Sequence, residues 1–246
     1  MNQKKSYLVL IGIFLTIFVL LLVYYISFFQ KNQGYIILPG NQVFYKNHDK
    51  ITLVDTDFKK DNYEKVIVVT ENETQKLEFR VTDGKAEFYK ENKKIDIEDN
   101  LIIAYSPNLD LEIKNSTKEE LNQEEMKEVD AILKEHGIIG YENLNVSQKV
   151  KINDKIFYII SNLFDETKYD KVFSFAYYYE NNKLHYLVED VDNIDNTYNL
   201  CIPRINSLIK FNHGNEKLIL SCEYFSDIGT ENTIYELTNN IWNLYQ

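Results

Sequence analysis

Proline and glycine are scarce in this chain, three and eight residues in 246, and cysteine occurs twice. The eight glycines are scattered, so no glycine-rich loop is available to cradle a phosphate. No Cys-x-x-Cys pair occurs, which removes a dithiol redox centre. The four histidines, His48, His136, His185 and His213, form no metal-spaced pair such as HExxH. G-x-S-x-G is also missing, and with it the strained turn that presents a hydrolase serine. These absences leave no recognisable catalytic motif. One further absence is the most informative: residues 7–29, YLVLIGIFLTIFVLLLVYYISFF, contain no charged side chain.

A helix of 23 residues would reach roughly 35 Å, enough to cross a bilayer core with some tilt. Tyr7, Tyr24 and Tyr25 lie near its ends, where amphipathic rings favour the interface. Lys4 and Lys5 precede it, so the amino-terminal tail, residues 1–6, is expected on the cytoplasmic side and the rest outside. A cleaved signal peptide is the competing reading. It would need a shorter apolar core and a small-residue cleavage site, whereas this run ends in Tyr-Ile-Ser-Phe-Phe-Gln. The span holds one glycine and few polar groups, so it reads as a tether to membrane lipid and not as a pore or proton path.

The remainder is acidic. All 38 acidic residues but only 25 of the 27 basic ones follow residue 30, giving that part a formal charge of −13. Such a surface disfavours nucleic acid and anionic lipid. The richness in Asn, Lys, Ile and Tyr fits the codon bias of an AT-rich bacterial genome. Cys201 and Cys222 both lie in apolar, strand-like runs. They could pair in an oxidising compartment or stay as buried thiols, and their spacing does not decide between the two.

Patterning predicts a mainly β (α+β) ectodomain with one amphipathic helix, tethered by a single amino-terminal transmembrane helix. Region 31–115 reads as β-rich, 116–137 as the helix, and 138–246 as β-rich again. Leu77–Thr82 and Lys85–Lys90 flank Asp83-Gly84, a hairpin signal, because a tight two-residue turn needs positive φ angles. Ser116 with Glu119 fits a capping box, Leu121, Met126, Val129, Ile132 and Leu133 share a face, and Gly137 is placed as the stop. This sets the helix at about 117–136.

Two stretches after the helix look alike, one from Lys149 and one from Ser207. Each alternates strands with polar turns, and Asn181-Asn182 and Asn239-Asn240 stand in matching places 58 residues apart. The spacing suggests a duplicated unit. In the first copy the loop after the leading strand reads Lys151-Ile-Asn-Asp-Lys155; in the second it reads Lys210-Phe-Asn-His-Gly-Asn-Glu216. These units resemble FG-GAP/VCBS-type repeats, in which a strand leads through a loop of the type D-x-D-x-D-G-x-x-E into an apolar strand. The resemblance covers roughly residues 148–246. It implies degenerate, propeller-like extracellular repeats whose acidic ligands are mostly replaced. Two units do not close a propeller, so the amino-terminal half would have to supply others or the fold would be open.

No cofactor is expected. The one concentration of hard oxygen donors is Glu189-Asp190-Val-Asp192-Asn193-Ile-Asp195-Asn196, where Asp190, Asp192 and Asp195 are candidates for weak calcium binding. The competing reading is a solvated loop. The 19 tyrosines could line a carbohydrate or peptide groove, or serve simply as strand formers. The functional expectation is a membrane-anchored extracytoplasmic module that binds a protein or surface polymer without catalysis. The alternatives are a cell-surface glycan or cell-wall hydrolase with dispersed carboxylates, and a structural subunit of a membrane complex.

Overall fold

A computed structural model describes residues 13–25, 33–48, 50–97, 100–139, 144, 146–162, 171–193, 200–211, 215–224 and 230–245. Strand accounts for 64% of it, as the alternating apolar pattern predicts. Residues 13–25 form helix α1 and expose their apolar side chains, Phe14 at 72% for example. The rest of the predicted span 7–29 lies outside the described residues. Among the described residues, no helix is long and apolar enough to cross a membrane.

The first eight strands are β1 (Gln33–Leu38), β2 (Gln42–Asn47), β3 (Lys50–Leu53), β4 (Lys60–Thr70), β5 (Thr74–Thr82), β6 (Lys85–Lys90), β7 (Lys93–Ile95) and β8 (Leu101–Tyr105). They pair in the order β3-β2-β1-β8-β4-β5-β6-β7, and β2 also meets β6 at Gln42 and Lys85. That last contact closes six strands into a barrel. Its interior is filled by Ile37, Val43, Val66, Val68, Phe79 and Phe88. The predicted β5–β6 hairpin is present, with Asp83 and Gly84 at φ 50° and 72°. A Cβ on Gly84 would also lie 2.8 Å from the Thr56 Cα, so both conformation and space demand glycine there.

The remaining strands are β9 (Leu111–Asn115), β10 (Thr117–Glu120), β11 (Val146–Ile152), β12 (Lys155–Asn162), β13 (Lys171–Glu180), β14 (Lys183–Asn193), β15 (Ile202–Phe211), β16 (Glu216–Glu223), β17 (Thr230–Thr238) and β18 (Ile241–Leu244). They make two antiparallel sheets of like topology, β10-β11-β12-β13-β14 and β9-β15-β16-β17-β18. Each is a four-stranded meander with one added edge strand. The two edge strands come from one extended segment divided at Ser116. The matching Asn-Asn turns are both present, all four residues at positive φ.

The two sheets pack face to face through Phe157, Ile159 and Tyr178 on one side and Leu208, Leu220 and Trp242 on the other. The outer face of the second sheet, Ile209, Ile219 and Ile234, packs on the barrel's Ile36, Phe44 and Ile103. The outer face of the first sheet carries helix α2 (Gln123–Glu135), whose Val129, Ile132 and Leu133 are buried against Ile160, Phe173 and Phe175. The amino-terminal half therefore supplies a barrel and not further blades, of which a propeller needs about four to eight.

Helix α2 starts later than its sequence signal. Asn122, not Ser116, is the N-cap: its side chain accepts from the Glu124 and Glu125 amides, and Glu125 returns a bond to the Asn122 amide. Residues 117–120 are drawn into β10 by pairing with β11 and by the Glu119–Lys151 ion pair at 2.8 Å. The predicted stop holds. Gly137 takes φ 71°, the Ile138 amide donates to the Leu133 carbonyl, and the Gly137 amide to Lys134. Cys201 and Cys222 are joined in a disulfide, which resolves the alternative left open by their spacing.

Candidate functional site

Three hairpin turns belong to one end of the sandwich. They are Asn153-Asp154 between β11 and β12, Asn181-Asn182 between β13 and β14, and Asn239-Asn240 between β17 and β18. Asparagine tolerates the left-handed conformation these short turns require, so they stay tight and the strands run almost to the rim. Beside them opens a cleft of about 310 Å³, lined by Asp154, Lys155, Ile156, Phe157, Tyr158, Tyr178, Tyr179, Glu180, Asn240 and Trp242. That is near the small end of ligand pockets, about 300–1,000 Å³.

The floor is aromatic and fixed. Trp242 is 6% exposed, and its ring lies 6.1 Å from Phe157, which lies 6.0 Å from Tyr178. The Trp242 amide donates to the Tyr178 hydroxyl at 2.9 Å, tying the second sheet to the first. His185 stacks on Tyr178 at 5.2 Å. Burial pushes the Tyr178 hydroxyl above the usual phenol range, against a lowering by the Trp242 amide. The rim is wetter: Ile156 is 40% and Tyr179 38% exposed, the Tyr179 ring turning to the helix-bearing face, 6.1 Å from Tyr158 and Tyr177. Asp154, Lys155, Glu180 and Asn240 supply hydrogen-bonding groups around this floor. No Ser, Cys or His is among the described lining residues. The lining combines apolar ring surface below with polar groups at the edge.

Most other tyrosines of the first sheet are structural. Tyr158 stacks on Tyr177 at 5.2 Å on the helix-bearing face, and burial drives the Tyr177 hydroxyl far above its ordinary value. A second cleft, about 410 Å³, lies where the barrel meets the second sheet. Its Arg204 already pairs with Glu223 at 2.5 Å, and Asn206, Ser221, Asn232 and Gln42 are joined in one hydrogen-bonded chain. That junction reads as the polar seam between the two halves.

The residues singled out in the sequence are dispersed. Asp190 and Asp192 belong to strand β14 and not to a loop, and Asp195 lies outside the described residues. Burial raises the Asp190 carboxyl above the usual carboxylate range, against a lowering by the Cys201 amide. Among the described residues, no group of three or more His, Cys, Asp or Glu could hold a metal. The first repeat loop is the two-residue turn Asn153-Asp154; much of the second, residues 212–214, lies outside the described residues. His136 is bound to the Ile132 carbonyl at 2.9 Å and to Glu189 at 3.0 Å, so it serves the helix. The cleft itself escapes sequence reasoning because Trp242, Tyr178 and Asp154 are far apart in the chain. The paired Asn-Asn turns were its one available signal. In comparisons with known proteins, no family model, no curated protein and no solved structure matches this chain.

Proposed function

We propose that this protein is a membrane-tethered, extracytoplasmic binding module that holds a surface glycan in the Trp242 cleft. The observation that carries this reading is the lining of that cleft. A sugar ring has an apolar face of C–H groups and a rim of hydroxyls. Trp242 and Tyr178 match the first, and Asp154, Glu180 and Asn240 match the second. The Cys201–Cys222 disulfide supports an oxidising compartment, and the uncharged run at 7–29 supports the tether.

Trp242 is the only tryptophan of the chain, so intrinsic emission reports on the cleft directly. Titrating the full chain in detergent with oligosaccharides of increasing length should give a saturable emission change. Glu180→Ala should weaken it by about fivefold, the loss of roughly 1 kcal/mol of rim hydrogen bonding. No new reducing ends should appear in the same incubations, which separates binding from hydrolysis. An emission that stays flat across the whole series sinks the glycan reading.

A further inference from the structure

The opposite end of the sandwich carries a feature that the cleft does not use. Ser161, Ser174 and Asp190 are consecutive cross-strand neighbours on β12, β13 and β14. Strands lie about 4.8 Å apart, so this row places Ser174 midway between two groups roughly 10 Å apart at the backbone. All three face the interior between the sheets. On β13, Ala176 and Tyr178 belong to that interior and Phe173, Phe175 and Tyr177 to the helix side, so alternation puts Ser174 with the former. On β12, Phe157 and Ile159 assign Ser161 to the same side. On β14, Val188 faces inward while Val191 packs towards the helix and Glu189 bonds to His136; Asp190 and Asp192 therefore face inward.

Ser174 and Ser161 are 0% and 1% exposed, and among the described residues neither hydroxyl has a hydrogen-bond partner. Leaving a buried hydroxyl unpaired forfeits its hydration with nothing in return, so two side by side point to a group that they would hold. Two positive charges among the described residues are turned away. Lys171 extends towards Gly137 on the helix side, 3.6 Å from where a Cβ there would sit, and Arg204 lines the seam with the barrel. From the second sheet, Tyr224 and Tyr235 stand near enough for the Asp190 charge to raise their hydroxyls further, after burial itself and, for Tyr224, Glu231. Burial also raises the Asp190 carboxyl, against a lowering by the Cys201 amide.

We propose that Ser161, Ser174, Asp190 and Asp192 form an oxygen-donor site for a hard divalent cation of the calcium class, its remaining ligands being water. Two carboxylates offset the charge of the ion, and the two hydroxyls gain the partner they lack. This site is independent of the glycan reading, since it lies at the other end of the strands.

Terbium, a luminescent calcium substitute, tests it on the full chain in detergent. Excitation of Tyr224 and Tyr235 should yield saturable terbium emission that calcium displaces. Asp190→Asn should lower the affinity at least about tenfold, and Ser174→Ala by a smaller factor. Thermal unfolding supplies the second readout, because a cation bound to the native state raises the melting temperature. In chelator, Ser174→Ala should melt at or above the unsubstituted chain, having lost an unpaired hydroxyl; with calcium, it should gain less. Absence of both displaceable emission and a calcium-dependent melting shift in the unsubstituted chain would mean that the hydroxyls hold water only, and overturns the site. Emission unchanged by Asp190→Asn overturns it equally.

Discussion

His136 shows how one side chain can make the attachment of an element depend on pH. Its Nδ1 faces the Ile132 carbonyl and its Nε2 faces Glu189. A neutral imidazole has one N–H, so both bonds are made only by the imidazolium. Burial opposes that charge, but the Ile132 carbonyl and the Glu189 carboxylate outweigh it and hold the pKa above its usual value. The position at the carboxyl end of α2 favours a cation as well. A folded-state pKa above the unfolded value of about 6.5 means that this stabilisation is complete below that pH. It is lost as pH rises through the raised folded value. Urea unfolding across this range should show stability falling with rising pH, and His136→Gln should flatten that limb. An unchanged slope in the variant would show that the imidazole is not the source. Glu87 has the opposite sense: Lys94 and Arg80 hold its carboxyl down to about 2, so its contribution is full above the ordinary carboxylate pKa and is lost as pH falls from there towards 2.

At the scale of elements, the disulfide closes the loop from the entry of β15 to its partner β16. Cys201 lies next to Ile202, whose register partner is Glu223, and the bond spans 21 residues of chain. Restricting the unfolded chain over such a loop is worth about 3 kcal/mol. Replacing both cysteines by alanine should therefore lower the unfolding free energy by roughly that amount, and the reduced natural chain should match the variant. Equal stability of oxidised and reduced chains would mean that native packing already supplies the constraint. The pairing was not legible in the sequence, because two cysteines in apolar strands read the same way whether bonded or not. The hairpins were legible, since Asp83-Gly84 and the Asn-Asn pairs carry their own backbone chemistry. The start of α2 was only half legible. Ser116/Glu119 and Asn122/Glu125 are both local capping signals, and the choice fell to a distant strand whose Lys151 pairs with Glu119. The barrel closure between Gln42 and Lys85 and the splitting of β9 from β10 have no local signal at all. The cleft has only the Asn-Asn turns as a local signal, because strands from both sheets assemble it.

At the scale of the whole molecule, the layers run helix, sheet, sheet, barrel, and each interface is apolar except for the polar seam at Asn232. The barrel is the part next to α1 in the chain, since β1 follows α1. The cleft, by contrast, is built entirely from the two distal sheets. On the proposed reading, the sandwich is the part held out to its ligand and the barrel is the part nearest the bilayer. The formal −13 of the region after residue 30 suits that arrangement, because it repels anionic headgroups and keeps the cleft clear of them. The orientation has a direct consequence. In intact cells of the source organism, added protease should digest the sandwich and barrel while leaving a small membrane-bound remnant around α1. Disruption of the membrane should not be required. Full protection until lysis would place the acidic body inside, where the positive-inside bias of Lys4 and Lys5 does not put it and where the Cys201–Cys222 bond would face a reducing pool.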